Sequence, residues 1–348
     1  MERQKVIISE NIGSTLENAI GECIYDRLFV LADENTSAVC LPQVRHLRCM
    51  EKAHYIIIKP ADTNKNLETL AYVWSELGRM GATRHSLMVN IGGGMVTDLG
   101  GFAASTFKRG IAYINIPTTL LAMVDASVGG KTGINFNGLK NEIGVFNNAR
   151  SVIIDTVFLK TMNRENMLSG YAEMVKHGLI SDTDMWAEII NFDIENPDLD
   201  DLRRMVAESV AVKERIVGQD PHERGLRKAL NFGHTAGHAF ESFAMTRHPV
   251  LHGYAVAYGI IAELYLSAAM TGFPAARMHQ TVDFIRSHYG RMGITCDDYQ
   301  QLYEFMKHDK KNVSGTINFT LLSDIGDIRI DQTASREDIF NALDFYAF

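Results

Sequence analysis

The sequence predicts a largely parallel, Rossmann-like α/β domain over residues 1–162, followed by an all-α domain over residues 163–348. Three observations carry this. Short runs rich in Val and Ile alternate with helical patterns through the first half, which implies a parallel sheet flanked by helices. From about Arg164 onward the apolar spacing becomes helical for most of the remaining chain. The 348 residues suffice for about two domains of roughly 100–200 residues each.

The first-half strands are LFVLAD (Leu28–Asp33), YIIIKP (Tyr55–Pro60), LMVNI (Leu87–Ile91), AYINIP (Ala112–Pro117) and SVIID (Ser151–Asp155). Each ends in turn residues, as buried strands do. Between them, Asn66–Arg79 reads as a helix with Leu67, Leu70, Ala71, Trp74 and Leu77 on one face. The boundary is expected between Thr156 and Ser169. Only INFTLL (Ile317–Leu322) and DIRI (Asp327–Ile330) interrupt the helical second half. With no repeat or flexible linker, the domains are expected to pack closely around a cleft, where ligands tend to bind. The longest apolar stretch, Ala255–Met270, is broken by Glu263 and is shorter than the roughly 20 residues a membrane span needs. It is expected to be a buried core helix.

A chain that is 46% hydrophobic and 22% charged is neither disordered nor collagen-like nor a coiled-coil array. Net charge is −8 and no long stretch concentrates Lys and Arg, so a nucleic-acid partner is not expected. Cys23, Cys40, Cys49 and Cys296 form no CxxC pair, and the N-terminus has no signal-peptide core. Reduced, mostly buried thiols in the cytoplasm are expected.

Five segments carry chemistry. In Val89–Ala104 a strand runs through Gly92, Gly93 and Gly94 into a helix containing Asp98. Such a turn lets backbone N–H groups approach a phosphate at the positive end of a helix, although it is not GxGxxG. Ile116–Gly144 is a Gly-rich loop with Asp125, Lys131, Lys140 and Asn141, a composition suited to oxyanions. Glu173 and Lys176 share a helix face beside His177; alone they read as a surface ion pair. His234 and His238 stand at i and i+4 on a helix, the spacing of paired metal ligands. His252 opens the apolar helix. Glu173, His252 and one of His234 and His238 would make a two-histidine, one-carboxylate metal site, and the chemistry does not decide between those two. Lys213, Glu223, Arg227 and Asn231 add polar groups, the last two expected to face the way the histidines do. A basic cluster follows at Met306–Asn312.

A phosphate-binding turn, a metal site and many cations suit a small polyanionic substrate. A metal beside a nicotinamide suggests oxidation of an alcohol held on the metal.

GGGMVTDLGGF, KRGI, IPTTLLAMVDASVGGKTGIN, LKNEIG, GYAEMVKHG, ERGLRKALNFGHTAGHAFE, LHGYAVAYG and HDKKN occur together, in this order. In these motifs, over nearly the whole chain, the sequence resembles the 3-dehydroquinate synthase family. That family sits among the sugar phosphate cyclases, which are related to metal-dependent glycerol dehydrogenases. The resemblance implies NAD+ and Zn2+ (or Co2+ in its place), a homodimer, and Glu173, His234 and His252 as metal ligands, with His238 on the phosphate side. It implies substrate roles for Asp125, Lys131, Lys140, Asn141, Lys176, Lys213, Glu223, Arg227, Asn231 and His238, and for Lys310 or Lys311. Arg109 would reach the partner's phosphate site. Asp33, Asn35, Asp62, Lys65, Gly93, Gly94, Asp98, Thr118, Thr119, Phe158 and Thr161 would serve NAD, with Asp125, Lys131 and Lys140 beside them.

The implied reaction is step two of the shikimate route, a phosphate-eliminating lyase chemistry that makes 3-dehydroquinate. An alcohol is oxidised transiently, phosphate leaves, the ketone is reduced again, the ring opens and an aldol step closes a carbocycle. Three positions depart from the family pattern. Ala61 and Asp62 stand where the family commonly has Gly-Glu, and Tyr254 where it often has Glu after His-Gly. The alternatives are an inosose or valiolone synthase, whose substrates lack the carboxylate that Arg227, Asn231 and Lys310 or Lys311 suit, and an NAD-dependent polyol dehydrogenase, which would release NADH.

Overall fold

The computed structural model describes residues 4–245, 247–308 and 316–348. They form two compact units, Met1–Asn163 with Asp198–Val210, and Arg164–Pro197 with Ala211–Phe348. The first unit contains β1 (Lys5–Ile8), α1 (Ile12–Gly21), β2 (Leu28–Asp33), α2 (Glu34–Val39), β3 (His54–Ile58), α3 (Leu67–Arg79), β4 (Leu87–Gly92), α4 (Gly94–Thr106), β5 (Ala112–Pro117), β6 (Lys131–Phe136), β7 (Leu139–Phe146) and β8 (Ser151–Ile154). A parallel sheet runs in the order β1-β8-β5-β4-β2-β3. β2 and β4 are buried at every position, which is why they read as continuous apolar runs in the sequence. β1, KVII, is a half-exposed edge strand and too short for its pattern to stand out.

Two expectations about the first unit need correction. The buried face of α3 is Leu70, Val73 and Leu77, whereas Leu67 and Ala71 are exposed. The Asn66 side chain caps this helix by accepting from the Thr69 N–H at 3.0 Å. The expected loop Ile116–Gly144 is in large part the antiparallel hairpin β6–β7. Gly133 and Gly144 oppose each other in it. A Cβ at either would strike the facing strand's backbone, at 2.5 Å and 2.1 Å respectively. The glycines that suggested a loop are therefore there for close strand approach.

The second unit contains α5 (Arg164–Leu179), α6 (Thr183–Asn191), the later part of α7 (Leu199–Gln219), α8 (His234–Met245), α9 (His252–Thr271), α10 (Ala275–Tyr289), α11 (Tyr299–Lys307), β9 (Asn318–Asp324), β10 (Asp327–Thr333) and α12 (Arg336–Ala347). The unit is helical but not all-α, because β9 and β10 pair antiparallel. By length and composition α9 could cross a membrane, but it is mostly buried within the fold, as a core helix is. It runs antiparallel to α8. Gly233 opposes Ile260, Gly237 opposes Ala255, and Glu241 meets His252. Small residues allow this approach. A Cβ on Gly259 would lie 1.9 Å from the Gly233 carbonyl oxygen. Of the thiols only Cys40 is buried; Cys23 and Cys49 are half-buried and Cys296 is exposed, so the expectation of mostly buried cysteines does not hold.

Candidate active site

In a parallel sheet all carboxyl ends lie along one edge. The chain passes outward from β2 to β3, then returns to β4 on the other side of β2. The carboxyl ends of β2 and β4 thus flank the topological switch point, where α/β sheets bind ligands. Asp33 ends β2 and is buried. Its carboxyl accepts from the Thr36 N–H at 2.8 Å, capping α2, on which Asn35 is exposed. β4 runs through Gly92 into α4, with Gly93 as N-cap. A Cβ on Gly92 would meet Val96 at 2.5 Å, and one on Gly93 would meet Thr119 at 3.1 Å. The turn thus excludes a side chain at Gly92 and crowds one at Gly93, and it leaves the N–H groups of a 13-residue helix at the sheet edge. Thr118 is buried beside it, its N–H bonded to the Gly92 carbonyl at 2.9 Å. After β8, Phe158 is wholly buried and Thr161 is exposed. The Phe158 side chain belongs to the core.

Lys65 organises the neighbouring corner. It is buried, and its ammonium lies 3.0 Å from Asp98 Oδ2, 2.5 Å from Asn141 Oδ1 and 3.6 Å from Asp62 Oδ1. Burial works against its charge, but Asp98 and Asp62 outweigh burial and hold its pKa above the usual lysine value. Burial raises the Asp98 carboxyl despite the opposing pull of Lys65. Asn135 ties this corner to the hairpin. Its Nδ2 donates to Asp62 Oδ2 at 2.9 Å and its Oδ1 accepts the Asn141 N–H at 2.9 Å. Asn135 closes the motif IPTTLLAMVDASVGGKTGIN, but nothing in the sequence assigns it this role. Lys131, Lys140 and Asn141 are exposed on the hairpin, Asp125 is half-buried in the turn Ala122–Ala126, and Arg109 is exposed with φ of 70°.

In the second unit Glu173, on α5, is fully buried, and Lys176 one turn on is 1% exposed. Their spacing alone suggests a surface ion pair; the fold makes them an interior one, in direct contact. Oε2 of Glu173 faces the Lys176 ammonium, and no hydrogen bond engages its Oε1. Its Oε1 lies 3.5 Å from His234 Nε2 and 3.9 Å from His252 Nε2. Glu173, His234 and His252 each offer a ligand atom, all within 4.8 Å of one another. The second nitrogen of each histidine is engaged elsewhere. His234 Nδ1 is 3.2 Å from the Phe232 carbonyl, and His252 Nδ1 is 3.3 Å from Glu241 Oε2. Fixing the far nitrogen of a histidine is how proteins aim the near one at a metal. A buried carboxylate whose Oε2 meets Lys176 and whose Oε1 faces two such histidines fits a divalent cation of the zinc type. The His238 ring packs 5.4 Å from His234 and 6.0 Å from His252 by centroids. Glu241 was missed in the sequence, though it follows His234 and His238 at i+7 on one face.

Tyr254 packs on Tyr289, ring centroids 5.1 Å apart, so the carboxylate serving His252 comes from α8. Lys213 and Arg227 are buried. Leu226–Asn231 is a 3-10 helix and Gly233 has φ of 79°. That break corrects the expectation that Arg227 and Asn231 continue the histidine face. Instead Asn231 Nδ2 donates to Glu223 Oε1 at 2.8 Å, and Arg227 Nη1 donates to the Pro221 carbonyl at 2.7 Å. Asp220 orders this segment by accepting from the N–H groups of Arg224, Gly225 and Arg227. Lys310 and Lys311 lie outside the described residues.

Family models for the 3-dehydroquinate synthase N-terminal and C-terminal regions match residues 55–169 and 170–312. A 3-dehydroquinate synthase of Parabacteroides distasonis is 53% identical over 347 residues, 99% of this chain and 98% of that protein. A 2-deoxy-scyllo-inosose synthase crystallised with carbaglucose-6-phosphate, NAD+ and Co2+ has a TM-score of 0.85 at 22% identity, over 97% of this chain and 95% of that one. A 2-epi-5-epi-valiolone synthase of Streptomyces hygroscopicus, with NAD+ and Zn2+ bound, has a TM-score of 0.84 at 23% identity, over 100% and 97%. These two likenesses show a shared fold.

Proposed function

The chain belongs to the 3-dehydroquinate synthase family, and from that premise we propose that it converts 3-deoxy-D-arabino-heptulosonate 7-phosphate to 3-dehydroquinate and phosphate, as a carbon–oxygen lyase of the shikimate route. The observation that carries the chemistry is the buried Glu173 carboxylate facing His234 and His252. When bound, NAD+ accepts and returns a hydride, and Zn2+, or Co2+ in its place, polarises the alcohol and the ketone.

Glu173, His234 and His252 hold the metal. The α4 N-terminus at Gly93 and Gly94 takes the pyrophosphate. Asp33, Asn35, Asp62, Lys65, Asp98, Thr118, Thr119 and Thr161 take the rest of the dinucleotide, with Phe158 contributing backbone only. Lys131, Asn141 and His238 hold the substrate phosphate, together with Arg109 from a second copy in a homodimer. Arg227 and Asn231 receive the carboxylate, for which a guanidinium fork is suited. Asp125, Lys140, Lys176, Lys213 and Glu223 orient hydroxyls and pass protons. The ketone formed at C5 acidifies the neighbouring C6 proton, and the substrate phosphate itself accepts that proton as it is eliminated. The four cysteines are free, in keeping with the cytoplasm as the site of action.

Phosphate release from this substrate, with NAD+ and Zn2+ supplied, tests the reading. Release with 3-dehydroquinate as product is expected. Release only from a sugar phosphate lacking a carboxylate would transfer the assignment to an inosose or valiolone synthase. NADH accumulating on a polyol would make it a dehydrogenase.

A further inference from the structure

One carboxylate, Glu263, breaks the apolar run of α9, and it is fully buried. Its Oε2 accepts the Gly233 N–H at 2.7 Å and its Oε1 accepts the Ala236 N–H at 3.0 Å. Both amides belong to the start of α8, where N–H groups lack partners within the helix and the macrodipole favours negative charge. Glu263 thus does from a neighbouring helix what a cap does locally. Burying a carboxylate is costly unless it is well hydrogen-bonded, so an apolar residue would be the ordinary choice here. The packing explains the reach. Gly233 has φ of 79°, and a Cβ on it would strike Ile260 at 2.6 Å. α9 therefore lies directly on the turn into α8.

His234 lies between the two bonded amides. With its Nδ1 against the Phe232 carbonyl, it presents Nε2 towards Glu173 at 3.5 Å. α9 also begins at His252, so one helix supplies one candidate ligand and holds the backbone of another.

We propose that Glu263 is a positioning residue of the metal site, fixing the backbone from which His234 presents its ligand nitrogen. The proposal rests on Glu173, His234 and His252 being the metal ligands. It is tested by the zinc dissociation constants of wild type, H234A and E263Q, measured by competition with a chromophoric chelator. Apo-protein circular dichroism and Tm, and the visible spectrum of the Co2+-loaded forms, are recorded alongside.

E263Q keeps the side-chain shape but turns one acceptor into a donor facing an N–H. Its zinc affinity is expected to fall by about 10–100-fold, the usual loss when an outer partner of a ligand is removed, with a native apo spectrum and an altered Co2+ spectrum. A lower apo Tm with zinc affinity within about twofold of wild type would make Glu263 merely structural and overturn the proposal. Should E263Q fail to fold, E263D, which draws the carboxylate back by one methylene, is expected to show the same loss, and unchanged affinity there would likewise overturn it. If wild type and H234A bind zinc equally, the proposal falls together with the ligand assignment. If they differ as expected and E263Q matches wild type, the proposal falls alone.

Discussion

Replacing Glu173 by Gln separates what this carboxylate does for the fold from what it does for the metal. Glu173 is 0% exposed and its ion partner Lys176 is 1% exposed. Gln preserves shape and removes the charge. The Lys176 ammonium is then buried without its counter-charge, and breaking a buried pair from one side costs about 3–5 kcal/mol. At about 2–4 °C per kcal/mol for a unit of this size, the metal-free protein should melt on the order of 10 °C lower. E173Q/K176M removes both charges and should recover most of that loss, since replacing a buried pair by apolar groups is often neutral. Neither variant should retain zinc after dialysis against a weak chelator, because a carboxylate ligand is gone in both. Thermal unfolding of apo protein and metal analysis provide the two readouts. An unchanged Tm in E173Q, or a double variant no more stable than the single, would refute the energetic reasoning. Wild-type zinc content in E173Q would refute the ligand role.

Three further outcomes are expected. Arg109→Ala should be nearly inactive alone, and mixing it with inactive K131A should restore activity through dimers holding one complete site; no recovery on mixing would exclude a role across subunits. Gly259→Ala places a Cβ 1.9 Å from a backbone oxygen that cannot swing away. It should lower the urea midpoint by an amount corresponding to about 1–3 kcal/mol, despite alanine's better helix propensity, and a stabilised variant would contradict the packing. Burial pushes the Tyr258 phenol up to about 12, with Tyr254 adding to the rise. A raised pKa means the folded state holds its proton longer. Its stabilisation is complete below pH 10 and is lost as pH climbs towards 12. Tyr258→Phe should flatten the fall in stability over that window, and an identical slope in urea titrations would be evidence against it.

Much of this was legible beforehand because the signals are local. Strands buried on both faces, such as β2 and β4, announce themselves as unbroken apolar runs. The glycine turn before α4 and the i, i+4 histidines of α8 are short-range patterns as well. What stayed hidden depends on distant parts of the chain. Gly133 and Gly144 look like loop residues until their strands are paired. Leu67 matches a helical stripe as well as Leu70 does, and only the position of the sheet decides which is buried. Glu173 and Lys176 read as a surface pair because spacing carries no information on depth. Glu241 and Glu263 serve histidines through helix packing, and Asn135 joins two segments that no sequence window spans.

The central claim is that the nucleotide works as a catalyst while Glu173, His234 and His252 hold the metal that makes this possible. Its most direct measurement is the number of 3-dehydroquinate molecules formed per NAD+, with NAD+ limiting and the protein zinc-loaded. Many turnovers per NAD+, no net NADH, and no product from H234A under the same conditions are predicted. Product limited to one per NAD+, or H234A turning over like wild type, would contradict the account.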